Sequence, residues 1–451
     1  MAETGLVSSF LAAIQASSSV LLVILYGALA ARFKLLDSGT GKVLSKICVR
    51  MFLPALLFTK IGSELHAESA TRYGIIFLWA LICHFISFLI GAGAHLFLGM
   101  PDWITVAIMF NNTTSYPLLL IEALDETGIL SSLIITNESS RDAIERAKSY
   151  FLVFATVSSC LTFAVGPRLI DSEHAPEPDD DKVVDGDDET LADPQEHDVE
   201  SNENTSLLQV PPQPYHRGSV ASVSFFPSTR EYEPIPSDRR PSLLPKSRWN
   251  KLSPRTQWWL LFAFDFLNAP LLGAVAGAVV GLIPVLHRAF FSDTRDGGIF
   301  TAWLTASFKT IGSLFVPLPV VIAGVSLYTS YMDARRQGAS SSNSASELPW
   351  HVALFIIFIR FLVWPVASIG IIYGLANRTS ILGDDPMLWF TMMLMPTGPS
   401  AMKLITMVAV SNATEEDEHI IAKLLTLSYI ISPILAFTVV GSLRASQSII
   451  Y

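Results

Sequence analysis

The chain alternates between long apolar stretches and shorter polar connections along most of its length. Each apolar stretch is about 17 residues or longer, which is enough for a helix to cross the hydrocarbon layer of a membrane. A membrane-spanning backbone must satisfy its own hydrogen bonds, so we predict an all-α polytopic membrane protein with ten transmembrane helices. The predicted segments are residues 6–31, 43–61, 73–98, 104–120, 150–169, 258–286, 300–328, 350–375, 387–410 and 420–443.

One long hydrophilic stretch divides these segments into five before it and five after it. Of the 40 acidic residues in the chain, 15 lie between Asp171 and Glu203, and a Pro- and Ser-rich part follows. Such a stretch has too little apolar surface to fold alone. We therefore predict a first five-helix membrane repeat at 1–170, a disordered cytosolic linker at 171–256 and a second five-helix repeat at 257–451.

Basic residues set the predicted orientation in the membrane. No Lys or Arg precedes the first segment, whereas four follow it between Arg32 and Lys46, and four more lie between Lys246 and Arg255 before the sixth. The positive-inside rule then places the N-terminus outside the cytosol and the linker inside it. Because five is odd, the two halves enter the membrane in opposite directions, which predicts an inverted repeat.

The fourth segment is interrupted in its middle by polar residues. Asn111 to Ser115 are all polar, and Tyr116 and Pro117 follow. Pro117 donates no backbone N–H and crowds the preceding turn, so the helix should break there. A break inside a membrane is tolerated only where protein or water surrounds it, which makes it a candidate binding site. A Pro-kinked helix whose Thr and Ser side chains satisfy the backbone is the simpler alternative.

The ninth segment carries a second interruption, at Pro396, Thr397, Gly398 and Pro399. The two breaks occupy corresponding places in the two halves of the chain. Paired broken helices of this kind are typical of the binding sites of secondary transporters. We therefore predict that the fourth and ninth segments cross each other near the middle of the membrane.

The predicted crossing favours an organic anion. The half-helices that begin near Pro117 and Pro399 would present free N–H groups and positive dipole ends to a carboxylate. The candidate substrate-binding residues are Asn111, Asn112, Thr114, Ser115, Pro117, Pro396, Thr397, Gly398 and Pro399. Glu122, Lys403 and Asp265 are candidates for ion coupling, and Glu122 could pair with Lys403. Lys403 could equally reach a membrane interface with its long side chain.

Composition narrows the classes of protein further. The chain is 51% hydrophobic and only 16% charged, and its three cysteines lie in apolar segments without metal-ligand spacing. The segments contain no convergent His, Asp or Glu cluster of the kind a membrane enzyme needs. We expect no enzymatic activity, cofactor, metal ion or nucleic-acid partner. Arg239-Arg240-Pro241-Ser242 has the pattern of a kinase site at Ser242, and a homodimer is compatible with the sequence.

Several motifs resemble those of the auxin efflux carrier or PIN-like membrane transport family, above all its fungal members. They are Phe52-Leu53-Pro54-Ala55-Leu56-Leu57-Phe58, the run Asn111 to Leu120, Asn268-Ala269-Pro270, Gly312 through Pro317 to Gly324, and Pro399. The resemblance implies a scaffold domain, a crossover transport domain and substrates of the indole-acetate type of weak acid.

The resemblance to the shorter PIN-like carriers also implies the endoplasmic reticulum membrane. An acidic di-leucine pattern at Leu207-Leu208 favours the vacuole instead, and the plasma membrane is the third choice. For function, the alternative to a transporter is a membrane signalling scaffold or receptor that is regulated through its long linker.

Overall fold

The computed structural model describes residues 6–66, 69–101, 103–134, 139–166, 266–340, 348–402 and 415–450, together with isolated positions between them. Across these ranges the chain is helical and forms no named strand, as the apolar pattern predicted. The helices of the first half are α1 Leu6–Arg32, α2 Ser38–Ile47, α3 Leu53–Glu64, α4 Ala70–Leu98, α5 Trp103–Met109, α6 Ser115–Glu126 and α7 Ser140–Ala164. Those of the second half are α8 Ala269–Leu282, α9 Pro284–Phe291, α10 Ala306–Ser313, α11 Leu318–Ser340, α12 Trp350–Phe358, α13 Trp364–Arg378, α14 Pro386–Leu394, α15 Glu415–Ile431 and α16 Leu435–Ile450.

Within the described residues, five uninterrupted helical spans are long and apolar enough to cross a membrane. They are Val7–Arg32, Ala70–Leu98, Thr301–Met332, Trp350–Arg378 and Ile420–Ile450. Each matches one of the predicted segments. The second and fifth predicted segments are also helical, but the helices that contain them carry charges such as Lys60 in α3 and Lys148 in α7. The predicted linker at 171–256 and the proposed kinase site at Ser242 lie outside the part of the chain described in detail.

The sixth predicted segment is shorter than the sequence indicated. The helix α8 ends at Leu282, and the chain bends by 107° before α9 begins at Pro284. Ile283 between them is extended, with φ −96° and ψ 108°. A residue before proline is driven out of the helical region by the proline ring, which explains why the predicted continuation to Leu286 is wrong.

Two other prolines lie within helical spans without ending them. A π-helical turn at Cys48–Phe52 joins α2 to α3 just before Pro54, and another at Ile359–Val363 joins α12 to α13 just before Pro365. The wider π turn accommodates a residue that has no N–H to donate and whose ring crowds the preceding turn. Both spans therefore continue past their prolines.

The helices pack in two groups, each drawn from both halves of the chain. In the first group, α3 packs closely on α8 and α10, and α1 packs on α11. Glycines allow this contact, because a Cβ atom added to Gly273 would lie 2.6 Å from the backbone of Pro54, and one added to Gly281 would lie 2.5 Å from the carbonyl oxygen of Leu65. The second group is built around α4, α5, α7, α13, α14 and α16. We call the first group, formed by α1, α3, α8, α10 and α11, the panel group, and we call the second the crossing group.

Candidate functional site

The two interrupted segments meet at their breaks. The first break lies between the end of α5 at Met109 and the start of α6 at Ser115, and the second follows α14. The backbone N–H of Asn112 donates to the carbonyl of Pro399 at 3.0 Å, and the N–H of Ala401 donates to the carbonyl of Phe110 at 2.9 Å. Asn111 and Ser400 thus form an antiparallel bridge between the segments. This pairing satisfies backbone groups that both helices leave free inside the protein.

Asn111 links the first break to the end of α14. Its buried side-chain amide donates to the carbonyl of Met395 at 2.9 Å and to that of Thr397 at 2.8 Å. These two bonds use both amide hydrogens of the side chain. In this structure Asn111 therefore caps the end of a half-helix and has no amide hydrogen left for a ligand.

The carbonyls at the end of α14 are satisfied without exception from Met392 to Thr397. Asn111 supplies two of the donors. The others are Trp79 Nε1 to Met392 at 3.1 Å, Ser368 Oγ to Met393 at 2.6 Å, Thr397 Oγ1 to Leu394 at 2.7 Å and Arg360 Nη1 to Pro396 at 3.3 Å. A helix normally leaves its last carbonyls without intrahelical partners, and here side chains from several helices supply them.

Asn112 occupies the start of the other half-helix, α6. Its side-chain oxygen accepts from the backbone N–H of Tyr116 at 3.4 Å, and its side-chain nitrogen donates to the hydroxyl of Tyr429 at 2.8 Å. Pro117 lies in the first turn of α6, where a helix needs no N–H donor. The N–H of Tyr116 at the start of α6 is thus not free, because an amide oxygen is its partner. The half-helix predicted to begin near Pro399 lies largely outside the described residues.

The remaining candidate residues have individual roles in the two breaks. The Ser115 hydroxyl donates to the carbonyl of Phe315 at 3.4 Å, and Thr114 stands at the start of α6 without a side-chain capping bond. Gly398 has φ 102°, which a residue with a side chain rarely adopts, so the turn after α14 requires glycine. Pro396 and Pro399 contribute their carbonyls to the bonds already described.

A small cavity lies beside the crossing. It is lined by Tyr116, Pro117, Leu120, Ile121, Phe151, Leu394, Thr397, Gly398, Leu435 and Val439. The cavity offers about 10 Å³ of space for the centre of a water molecule, which is room for one ordered water at most. Three of the predicted site residues, Pro117, Thr397 and Gly398, therefore line the same cavity.

Glu122, the described candidate for ion coupling, does not line this cavity. Lys148 donates to Glu122 at 2.9 Å and to Glu145 at 3.3 Å, and Glu145 is also paired with Lys60. The carboxylate of Glu122 therefore pairs with a lysine of α7. Lys403 and Asp265 lie outside the described residues. The Lys60–Glu145 pair joins α3 of the panel group to α7 of the crossing group.

Two residues at the crossing are absent from the sequence-based set. Arg360 is 1% exposed and Tyr429 is 2% exposed. Arg360 had a visible signal, since it is a lone charge in the middle of an apolar segment, and such charges are rare without a function. Tyr429 had none, because a tyrosine in an apolar segment is ordinary and its contact with Asn112 spans 317 positions.

Comparisons with known proteins place the sequence among membrane transporters. The sequence model of a family described as membrane transport protein matches residues 12–439. An uncharacterized transporter of Schizosaccharomyces pombe is 23% identical over 92% of this chain and 91% of its own length. The protein PIN-LIKES 2 of Arabidopsis thaliana is 22% identical over the same shares of both chains. PIN-LIKES 5 of the same plant is 29% identical over 39% of each chain. The chain therefore belongs to the membrane transport protein family of auxin efflux carriers and PIN-like proteins.

Proposed function

We propose that this membrane transporter is a secondary carrier that moves a small organic anion, of the indole-acetate type of weak acid, across the membrane by alternating access. The observation that carries the proposal is the backbone pairing between Asn112 and Pro399 and between Phe110 and Ala401. Broken helices that meet within the membrane part of a protein are the usual location of a transporter's substrate site. A signalling scaffold has no need of such a crossing.

The architecture we propose is ten spans in a five-plus-five inverted repeat, with the linker at 171–256 in the cytosol. Five described helices are long and apolar enough to span, and the two breaks lie in corresponding halves. Both packing groups combine helices from both halves, which is expected of two repeats that fold against each other. The basic residues flanking the first and sixth segments support the orientation.

The small size of the cavity supports a cycle in which the crossing widens to admit the substrate. A space for one water cannot hold an indole ring and a carboxylate, so binding requires a wider cleft. The boundary between the panel and crossing groups is the natural place for it to open. Helix α1 of the panel group contacts α16 of the crossing group, and the Lys60–Glu145 ion pair also spans this boundary. Movement of one group against the other would break these contacts and expose Pro117 and Gly398.

In the open state we expect the start of α6 to receive the carboxylate. The N–H of Tyr116 is held at 3.4 Å by the amide oxygen of Asn112, which is a long bond for a buried donor. A carboxylate oxygen would accept more strongly from this N–H, and rotation of Asn112 would present its NH₂ group to the same anion. The apolar residues Leu120, Ile121 and Leu435 would then pack against the ring.

Uptake of radiolabelled indole-3-acetate by proteoliposomes tests the proposal. The full chain should accumulate the label down an imposed gradient, and Asn112→Ala should weaken binding by about 0.5–1.5 kcal/mol, or more if the lost partner is a carboxylate. Asn377→Ala is the matched control, because Asn377 is exposed at the end of α13. A wild-type chain that moves neither indole-3-acetate nor other aromatic weak acids would overturn the proposed substrate class.

For the compartment we propose the endoplasmic reticulum, with the vacuolar and plasma membranes as the alternatives. The two plant relatives are PIN-like proteins, and the implication comes from that resemblance. Fluorescent tagging of the chain, with and without Leu207→Ala and Leu208→Ala, distinguishes these membranes. Label on the vacuole that is lost in the double variant would contradict the proposal.

A further inference from the structure

Arg360 is the largest fully buried side chain in the described part of the protein. It lies on the π-helical turn between α12 and α13, and π turns inside helices are frequent at functional sites. The side chain reaches the crossing from a helix that is not itself part of it.

The guanidinium touches both interrupted segments. Its Nη1 donates to the carbonyl of Pro396 at 3.3 Å, just past the end of α14, and its Nη2 donates to the carbonyl of Ala107 at 3.5 Å, near the end of α5. Its Nε is buried and has no hydrogen-bond partner in the described part of the chain. Within the same part, no carboxylate forms an ion pair with it; Asp385, the buried acid of α14, pairs with Arg72 and Arg146.

A buried cation without a carboxylate partner is costly. Removing such a charge from water costs several kcal/mol even after the protein relaxes, and two long hydrogen bonds to carbonyls offset only part of this cost. If the arginine only satisfied two carbonyls, a neutral donor would be less costly. The other side-chain donors to the end of α14 are all neutral, namely Asn111, Trp79, Ser368 and Thr397.

The positive charge of Arg360 faces the partial negative charges of two helix ends. The C-terminal end of a helix carries a partial negative charge of up to about half an elementary charge. Two such ends, of α5 and α14, meet at Arg360, so their sum is comparable to the single positive charge of the guanidinium. Without the arginine, these ends would oppose the positive N-terminal end of α6 at the same crossing.

We propose that Arg360 is a positioning residue whose fixed positive charge neutralises the two negative helix ends at the crossing and so leaves the crossing attractive to one organic anion. This inference rests on the proposed anion transport. It adds a residue from the eighth segment to the site, and it assigns the selectivity for anions to a group that does not itself line the cavity.

The first test compares transport by three variants in proteoliposomes with indole-3-acetate as the probe. Arg360→Gln keeps an N–H donor and removes the charge, and it should raise KM at least about tenfold, because the two negative helix ends would then no longer be neutralised beside the anion. Arg360→Lys keeps the charge and should restore most of the affinity. Arg378→Gln, the same change at an exposed position near the end of the same span, should leave KM unchanged.

A KM that does not change in folded Arg360→Gln would overturn the proposal, and so would a folded Arg360→Lys that is as impaired as Arg360→Gln. The second result would mean that the planar hydrogen-bonding geometry matters and the charge does not. If Arg360→Gln fails to fold, the Arg360→Lys variant alone decides between these outcomes.

A second test does not depend on transport. Purified Arg360→Ala should be stabilised against thermal unfolding by millimolar guanidinium ion, which can enter the vacated space, while the wild type and Arg378→Ala should not respond. The two tests can fail separately. If the wild type transports no weak acid but Arg360→Ala responds to guanidinium, the proposed function is refuted while the cation site at the helix ends is supported. Absence of any guanidinium response in folded Arg360→Ala would count against a cation site at the helix ends.

Discussion

At the scale of residues, Asn111 and Asn112 are neighbours with different tasks. Asn111 uses its amide to close the end of α14, while Asn112 faces the start of α6 and the hydroxyl of Tyr429. The first side chain is buried with both N–H groups engaged, whereas the second is partly exposed. Asn111 should therefore govern stability, and Asn112 should govern binding.

Replacing Asn111 by Ala leaves the carbonyls of Met395 and Thr397 without donors inside the protein. Each unsatisfied buried group costs about 1–3 kcal/mol, so Asn111→Ala should lower the temperature of unfolding clearly in detergent. Asn377→Ala, at an exposed site, should leave it unchanged. An unfolding temperature for Asn111→Ala equal to that of the wild type would show that water replaces the amide at no cost.

The sequence predicted where the helices break but not which groups form hydrogen bonds with the backbone at each break. Proline and a run of short polar residues are local signals, so Pro117 and Pro399 could be located without a structure. The partners of Asn111 are more than 280 positions away, and those of Arg360 lie on two different segments. Such pairings depend on how the helices pack, and hydrophobic periodicity carries no information about them.

At the scale of elements, glycine spacing alone does not identify a helix contact. Gly273, Gly277 and Gly281 are spaced by four residues, and all three lie against the backbone of the segment containing α3. Gly370 and Gly374 have the same spacing in α13, yet a Cβ atom added to either would meet nothing within 4 Å. The sequence could not separate the two cases, because the pattern is the same and only the neighbour differs.

This difference predicts opposite effects for one chemical change. Gly277→Ala would place a methyl group 2.9 Å from the carbonyl oxygen of Phe58, and forcing α8 away from α3 should cost about 1–3 kcal/mol. Gly370→Ala meets open space and should be neutral or stabilising by up to about 1 kcal/mol, since alanine favours the helix. Thermal unfolding of both variants in detergent measures the contrast, and equal unfolding temperatures would contradict the close packing.

At the scale of the whole molecule, the orientation of the spans follows from charges near their ends. The loop after α1 contains basic residues, so by the positive-inside rule we expect it to be cytosolic. With ten spans, the loop between α13 and α14 is then expected on the opposite side of the membrane.

Accessibility of introduced cysteines tests this orientation. The native Cys48, Cys83 and Cys160 are buried and form no disulfide within the described part of the chain, so they can be replaced by alanine to give a background without thiols. Leu35→Cys and Ser380→Cys lie in exposed loops. In intact cells, an impermeant maleimide should label neither cysteine if the protein lies in an intracellular membrane. In sealed vesicles whose cytosolic side faces outward, the same reagent should label Leu35→Cys alone. Labelling of Ser380→Cys alone in those vesicles would reverse the topology.

Close contacts between the two halves of the chain bear on the role of the linker that connects them. The tightest helix contacts, α3 with α8 and α1 with α11, each join one helix from before the linker to one from after it. Within the described part of the chain, the halves are thus held together by surfaces fitted to each other. We therefore expect these contacts to tolerate insertions, deletions and new modification sites in 171–256, so that the control of this transporter and its mechanism can evolve separately.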